Sequence, residues 1–174
     1  MSGRWVAFAA LLGLGGCGGE TPAGSPAPKA PQRIKLQSTA FSNGERIPKL
    51  YTCKGKGVQP PLRWSGLPRG TQSLALLVED PDAPNGTFVH LTEWDIPPSS
   101  KGLPPGEITQ GTNGAGNAGW IAPCPPSGSH RYVFTLYALS KPLGLRSGAD
   151  AVAVHKALRG KAIARGQLIG RFGG

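Results

Sequence analysis

The residues best suited to chemistry lie in two short motifs and at one position between them. Glu-Asp-Pro-Asp-Ala-Pro occupies 79–84, Ser-Gly-Ser-His-Arg-Tyr occupies 127–132, and His90 lies between them. Imidazole N–H groups donate to anion oxygens, and a carboxylate such as Asp80 fixes a histidine tautomer or supports its charged form. Because each motif adjoins a predicted strand, the sequence indicates a small polar pocket that binds an anion, such as a phosphate monoester or diester.

The same side chains allow an enzymatic alternative. Asp80, Asp82, His90 and His130 are possible ligands of a metal-dependent hydrolase. Catalysis would also require an activated nucleophile or a metal, and the sequence contains no Gly-x-Ser-x-Gly, His-Glu-x-x-His or Cys-His signature. Binding is a sufficient explanation, so we expect no enzymatic activity, no cofactor and no bound metal.

Structural roles compete with the functional assignments. Asp80 and Asp82 could simply cap turns, and His130 with Arg131 could satisfy buried carbonyl groups. We expect Arg131 to form a structural ion pair, with Asp82 as the candidate partner. His155, the third histidine, is expected to face solvent or the edge of the core and to have no functional role.

Composition predicts a mainly β fold. The 174-residue chain suits one domain, and its 27 Gly and 18 Pro favour short strands joined by irregular loops. Apolar runs and alternating patterns predict strands at 34–41, 73–78, 87–96, 132–139 and 167–172, with an extended segment at 46–53.

Two further predictions concern local structure. A helix is predicted at 149–158, with Ser147 as its N-cap and Gly160 at its end, and a short helical turn is predicted at 161–165. Strict alternation in the strand at 87–96 would place Phe88, His90, Thr92 and Trp94 on one face.

The segment from 96 to 129 is too long to be only a connector, and we interpret it as a functional loop. Its glycine run at 111–119 could cradle a phosphate. However, the run lacks the Lys-Ser/Thr ending of a P-loop and leads into no predicted helix, so a plain flexible loop is the favoured interpretation.

The formal charge of +10 suits an anionic partner but does not identify one. Basic residues concentrate near the C-terminus with Phe172 as the one interleaved aromatic and without a recognition-helix pattern, so nucleic-acid binding is disfavoured and a solvated basic face is expected. These basic residues are Arg146, Lys156, Arg159, Lys161, Arg165 and Arg171.

The N-terminus has the layout of a secretory signal, with Arg4, an apolar run of about ten residues, and Leu14-Gly-Gly-Cys17. The run is too short to span a bilayer. Leu-Gly-Gly-Cys resembles the bacterial lipobox, which implies a signal peptide at 1–16 and lipidation, including palmitate, on Cys17. The alternative is an ordinary signal peptide with an incidental cysteine.

A lipid anchor on Cys17 would place the protein in the bacterial cell envelope, and Gly18 in place of Asp implies the outer membrane, facing the periplasm. Residues 17–33 contain no large apolar side chain and are rich in Pro and Gly, so we predict an extended tether there. The folded domain is predicted to occupy 34–174.

From about Thr39 onward, the chain resembles the phosphatidylethanolamine-binding protein family, in its bacterial Raf kinase inhibitor-like branch. The resemblance rests on Asp-Pro-Asp-Ala-Pro at 80–84 and Gly-Ser-His-Arg-Tyr at 128–132, which occur in this order and about 45 residues apart. Further matches include Pro-Pro-Leu-Arg-Trp at 60–64 and Pro-Cys-Pro-Pro at 123–126.

This resemblance implies a Greek-key fold of two antiparallel sheets with one or two short C-terminal helices and an anion pocket at one end. The pocket residues carried over are Asp80, Pro84, His90, Ala122, Pro123, Cys124, His130 and Tyr132. The sequence departs from the family pattern at Val89, where Trp is usual, at Trp120, where Tyr is common, and at Ala122, where Gly is usual.

The resemblance also implies a disulfide between Cys53 and Cys124, which remain as an even pair once Cys17 serves as the anchor. Some family members inhibit kinases or proteases. A kinase target is disfavoured outside the cytoplasm, whereas a protease-inhibitor or signalling role at the envelope remains an alternative to small-ligand binding.

Overall fold

The computed structural model describes residues 28–103 and 108–174. The signal peptide and Cys17 therefore lie outside the described residues. Within them, no helix is long and apolar enough to cross a membrane.

Two antiparallel sheets form the architecture. The strands are β1 (Lys35–Ser38), β2 (Leu62–Ser65), β3 (Ser73–Asp80), β4 (Phe88–Ile96), β5 (Thr109–Gln110), β6 (Ser129–Leu139) and β7 (Ala162–Gly173). β1 pairs with β2, and the larger sheet has the order β5-β4-β3-β6-β7. The long connection that returns β6 to the side of β3 is the Greek-key arrangement. The mainly β prediction with two antiparallel sheets is confirmed.

Each face of the larger sheet covers its own hydrophobic core, because successive residues of β3 point to opposite faces. Leu74, Leu76 and Val78 belong to the core under β1 and β2. Ala75 and Leu77 belong to the other core, under the single α-helix of the described residues, α1 (Ala151–Leu158). β3 is therefore buried on both sides, which explains its unbroken apolar run.

Several local predictions were wrong. Residues 161–165 form no helical turn, because β7 begins at Ala162 and pairs with β6 along its length. The N-cap of α1 is Asp150, whose side chain accepts a hydrogen bond from the Ala153 N–H, and not Ser147. The segment at 46–53 is interrupted by a 3₁₀ turn, Lys49–Tyr51. These sites have weak local signals that tertiary pairing overrides.

The predicted common face was partly wrong: Thr92 and Trp94 share a face of β4, paired with Leu77 and Ala75, but His90 does not lie on it. In the pairing of β3 with β4, Val78 is opposite Leu91 but Glu79 is opposite Val89, so β4 contains an extra residue at His90. A β-bulge of this kind re-aims the side chains on either side of it. Trp94 consequently packs in the core under α1, while the His90 ring lies 5.1 Å from the ring of Tyr132 in the other core.

Residues 28–33, which fall in the predicted tether, contact the domain where the structure describes them. The N–H groups of Arg33 and Ile34 both donate to the Arg165 carbonyl, and the Tyr137 hydroxyl lies 3.4 Å from the Pro28 carbonyl oxygen. The chain thus joins the domain alongside the C-terminal part of β6 and the early part of β7, away from the end that bears His130.

Candidate ligand-binding site

The two sequence motifs meet at the end of neighbouring strands. Asp80 ends β3 and His130 lies near the start of β6, and antiparallel pairing of these strands brings the two side chains together. Asp80 Oδ2 lies 2.7 Å from His130 Nδ1, and both residues are buried. The other oxygen, Oδ1, accepts a hydrogen bond from the Asp82 N–H at 2.9 Å. Asp80 therefore orients His130, as expected, and also organises the turn that follows β3.

A second carboxylate holds the same two segments together at the surface. Asp82 accepts three hydrogen bonds from Arg131: from the backbone N–H at 2.9 Å, from Nε at 2.8 Å and from Nη2 at 2.6 Å. Hydrogen bonding to Arg131 lowers the pKa of Asp82 well below its usual range. The predicted ion pair between Arg131 and Asp82 is present.

His90 is oriented by a main-chain group. Its Nδ1 lies 2.8 Å from the carbonyl oxygen of Ile121, and the Ile121 N–H donates to the His90 carbonyl at 3.0 Å. The ring is also flanked by aromatic rings, with Phe88 at 5.0 Å, Tyr132 at 5.1 Å and Trp120 at 6.2 Å between centroids. Burial lowers the pKa of His90, although the Ile121 carbonyl and the nearby Asp80 carboxylate oppose that shift.

The loop that supplies Ile121 is built around a buried asparagine. Asn113 Oδ1 accepts hydrogen bonds from the N–H groups of Ala115 and Asn117, and Nδ2 donates to the Gly119 carbonyl. The glycine run is therefore internally hydrogen-bonded, unlike the plain flexible loop expected. The ring of Phe88 occupies the space beside Gly114, where a Cβ would clash. Small residues here let the loop pack closely on β4.

A disulfide holds the next part of this segment. Cys53 and Cys124 are joined with their Cα atoms 5.4 Å apart, which confirms the predicted pairing. The Cys53 N–H also donates to the Pro123 carbonyl, and Trp120 Nε1 donates to the Gly57 carbonyl at 2.8 Å. The segment that orients His90 is thus fastened at two points to the loop after the 3₁₀ turn.

Tyr132 lies on β6 two residues after His130, and its ring is 5.1 Å from that of His90. It is fully buried, and its oxygen has no hydrogen-bond partner among the described residues. Burial, with a smaller contribution from the charges of Asp80 and Asp82, raises the pKa of Tyr132. An unsatisfied buried hydroxyl costs about 1–3 kcal/mol, so a ligand oxygen that reached this group would stabilise the complex.

These contacts decide which nitrogen of each imidazole remains for a ligand. A carbonyl oxygen only accepts, so His90 carries its proton on Nδ1, and the ionised Asp80 requires the same of His130. Nε2 is then the remaining nitrogen of both rings. It accepts hydrogen bonds when the ring is neutral and donates only when the ring is protonated. A neutral ring therefore offers an anion no N–H donor, because its single donor is used within the protein.

Other predicted site residues occupy more peripheral positions. Pro84 is exposed on the loop after β3, Pro123 is buried and Cys124 is exposed. Ala122 is half-buried and does not have a positive φ, so a methyl group here introduces no backbone strain where the family usually has glycine. The described residues contain no group of three or more His, Cys, Asp or Glu side chains arranged to hold a metal ion.

The prediction offered two positions for His155, and the first of them, facing solvent, was wrong. His155 is buried on α1, and its Nε2 lies 3.0 Å from Glu79 Oε1. Glu79 and Asp80 are consecutive residues of β3 and so point to opposite faces of the sheet. His155 therefore belongs to the core under α1 and is separate from the candidate site.

Sequence reasoning missed the groups that hold His90. The Ile121 carbonyl carries no side-chain signal, and Trp120 was noted only as a departure from the family pattern. The available indications that this segment has a role were the unusual length of the loop at 96–129 and the family resemblance at Ala122, Pro123 and Cys124, which follow Ile121 directly.

Comparison with known proteins gives a consistent family assignment. The family model described as "Phosphatidylethanolamine-binding protein" matches residues 37–173. A UPF0098 protein of Methanothermobacter thermautotrophicus is 42% identical over 149 residues, which cover 80% of this chain and 98% of that protein. A Mycobacterium tuberculosis protein named as a candidate lipoprotein, LppC, is 39% identical over 189 residues, which cover 96% of this chain and 93% of that protein in strain H37Rv.

Two solved structures support the same family assignment. A candidate PEBP homologue from Chlamydia trachomatis, CT736, is similar with a TM-score of 0.77 and 37% identity over 82% of this chain and 99% of that chain. Escherichia coli YbcL, described as a member of the mammalian PEBP family, has a TM-score of 0.76 and 30% identity over 81% of this chain and 98% of that chain. The extent of these matches, together with the pairing of the two motifs at one end of the sheet, shows that the chain belongs to the phosphatidylethanolamine-binding protein family.

Proposed function

We propose that this protein binds a phosphate-bearing ligand, such as a phospholipid headgroup or a related phosphomonoester or diester, through His90 and His130. The observation that carries the proposal is the hydrogen bonding of the two rings. Each Nδ1 is engaged within the protein, so each Nε2 is left for a ligand. The ring of Tyr132 lies 5.1 Å from the His90 ring, and its buried hydroxyl has no partner among the described residues, which supports the same interpretation.

Phosphate binding at this site is linked to proton uptake. An anion oxygen needs a donor, and the two Nε2 atoms become donors only when protonated. The alternative is a protonated phosphate that donates its own O–H to a neutral ring, which places the same number of protons in the complex. Affinity should therefore rise as pH falls through the ordinary histidine range near 6.5. The gain should level off below about pH 6, where phosphate itself takes up its second proton and loses charge.

Burial strengthens this linkage at His90. Since its pKa is lowered in the folded protein, protonating it costs folding free energy as pH falls below about 6.5, the value of an unperturbed histidine. A bound anion offsets that cost. The increase in melting temperature caused by phosphate should therefore be larger at pH 5.5 than at pH 7.5, and both pH values lie about one unit from the unperturbed histidine pKa.

The test is calorimetric titration with inorganic phosphate and phosphoethanolamine at these pH values. His90→Ala and His130→Ala should each weaken binding by about 1.5–3 kcal/mol, the scale of a hydrogen bond to a charged group. His155→Gln serves as the control because its side chain lies in the opposite core, and it should leave phosphate affinity unchanged. If the wild type and the two alanine variants bind equally, or if none binds at tens of millimolar, the proposal fails and a protein-interaction role becomes the better explanation.

We also propose that the protein is anchored to the bacterial envelope through Cys17. The finer form of this proposal is that it lies at the outer membrane, facing the periplasm. The likeness to LppC supports anchoring. Cys17→Ser should move the protein from the membrane fraction to the soluble fraction of cells. Retention of that variant in the membrane would contradict anchoring through Cys17.

A further inference from the structure

A second charged cavity lies beside the candidate site. It has a volume of about 680 Å³ and its walls include Arg46, Lys49, Lys54, the Cys53–Cys124 disulfide and the C-terminal end of β7. It shares Cys124 with the predicted pocket residues but contains neither histidine. The family site does not account for it.

The cavity carries an unbalanced positive charge. Arg46, Lys49 and Lys54 are exposed, and none has a carboxylate within ion-pair distance in the described part of the chain. No Asp or Glu is among the lining residues. The guanidinium of Arg46 lies 5.6 Å from the ring centre of Phe172, which holds it at the cavity edge.

Exposed aliphatic side chains adjoin these cations. Leu50 is 43% exposed and Val58 is 46% exposed, and they are two of the three large hydrophobic side chains exposed in the described residues. The Gly57 N–H donates to the Leu50 carbonyl at 3.0 Å, so both lie on one compact loop. We call residues 49–58 the basic-aliphatic loop. It combines three lysines with two exposed aliphatic residues.

We propose that the basic-aliphatic loop and its cavity dock onto the surface of an anionic lipid bilayer. Lysines next to a bilayer attract anionic headgroups, and exposed aliphatic side chains enter the headgroup region. The cavity takes the headgroup phosphate between Arg46, Lys49 and Lys54. A protein partner fits less well, because the aromatic side chains enriched at protein interfaces are absent from the exposed hydrophobic residues of this loop.

The N-terminal chain leaves room for this orientation. The described structure begins at Pro28, beside Tyr137, and Tyr137 and His130 are seven residues apart on β6, or roughly 23 Å at strand spacing. The eleven residues from Cys17 to Pro28 could span at most about 36–40 Å. A lipid on Cys17 would therefore hold the domain near the bilayer without fixing which end faces it. The loop would supply a membrane contact in addition to the lipid, and it would bring the candidate phosphate site to the headgroup layer.

The test uses the Cys17→Ser chain, which carries no lipid, in co-sedimentation with vesicles. We expect binding to equimolar phosphatidylglycerol and phosphatidylcholine, little binding to phosphatidylcholine alone, and loss of binding in about 0.5 M salt, where charges are screened. Lys49→Glu with Lys54→Glu should weaken vesicle binding at least twentyfold, since each lysine near an anionic surface contributes roughly a fivefold factor. The matched control, Lys141→Glu with Lys156→Glu, makes the same charge change at exposed positions outside the loop and should have a much smaller effect.

The aliphatic contribution has its own control. Leu50→Ser with Val58→Ser should weaken vesicle binding, whereas Val152→Ser, at the third exposed aliphatic position, should not. His130→Ala should keep vesicle binding, which separates this proposal from the phosphate site. Equal binding by the loop variant and its charge-matched control would overturn the proposal. So would binding of inorganic phosphate at the cavity without any preference for anionic vesicles, because the cavity would then be a site for a free anion.

Discussion

His130 is oriented by a side chain of the neighbouring strand, whereas His90 is oriented by the backbone carbonyl of Ile121, 31 residues away in a loop. The first arrangement follows directly from the pairing of β3 with β6. The second depends on a bulge in β4, the Asn113-centred loop and the disulfide. The two histidines proposed to bind one ligand thus depend on different parts of the structure, so the half of the candidate site around each histidine can be weakened separately.

Removing the disulfide should have the largest effect. It closes a loop with a sequence separation of 71 residues, and the chain-entropy model gives a loss of about 4 kcal/mol in the free energy of unfolding. Cys53→Ser with Cys124→Ser should therefore lower the denaturant midpoint in chemical unfolding. In NMR spectra, the His90 ring signals should shift more than those of His130. Equal shifts for the two rings would show that the halves are not held independently.

Asp80→Ala should weaken the half of the candidate site around His130. It removes a charged hydrogen-bond partner from the buried His130, and we expect a loss of about 1.5–3 kcal/mol in phosphate affinity, measured by calorimetry. Asp80→Asn keeps an acceptor without the charge and should lose less, because charge-assisted hydrogen bonds are about twice as strong as neutral ones. If Asp80→Ala binds phosphate more tightly, Asp80 acts mainly by repelling the anion and does not orient the ring.

Trp120→Phe should weaken the His90 half more gently. The change keeps an aromatic ring beside His90 but removes the 2.8 Å hydrogen bond to the Gly57 carbonyl, for an expected cost of about 1 kcal/mol in stability. Hydrogen exchange should become faster at the Ile121 amide and stay unchanged at the Arg131 amide. Faster exchange at both amides would indicate a global loss of stability.

Asp82→Asn should have the smallest effect, because the Asp82–Arg131 pair is at the surface and solvent screens it. The pKa of Asp82 is lowered in the folded state, so its contribution is present above the unperturbed value of 3.8 and is lost as pH falls below it. The melting temperatures of the wild type and the variant should therefore differ slightly at neutral pH and converge in acid. A difference that persists at low pH would show that the backbone hydrogen bond to Asp82 matters more than its charge.

The half of the site around His130 could be predicted from the sequence because it is built from side chains at the ends of strongly patterned strands. Asp80 and His130 lie at the ends of two strands with strong apolar patterns, and adjacent strands bring their ends together. The same reasoning predicted the ion pair of Asp82 with Arg131. The disulfide and the family followed from a resemblance that covers most of the chain, and the structure and the comparisons agree with both.

The half around His90 was decided by tertiary structure. A single extra residue in β4 moves His90 away from the face of Trp94, and strand periodicity cannot detect it, because a bulge depends on how two strands pair and not on which residues alternate. Every residue has a backbone carbonyl, so the sequence gives no sign that the carbonyl of Ile121 orients His90. The cavity beside the basic-aliphatic loop shows the same limit. Arg46, Lys49 and Lys54 carry no motif in the sequence, and only folding places them around one cavity with the distant Cys124 and Phe172. Side-chain chemistry was determined by the sequence alone, whereas the backbone groups and distant charges that surround it were brought together by long-range packing.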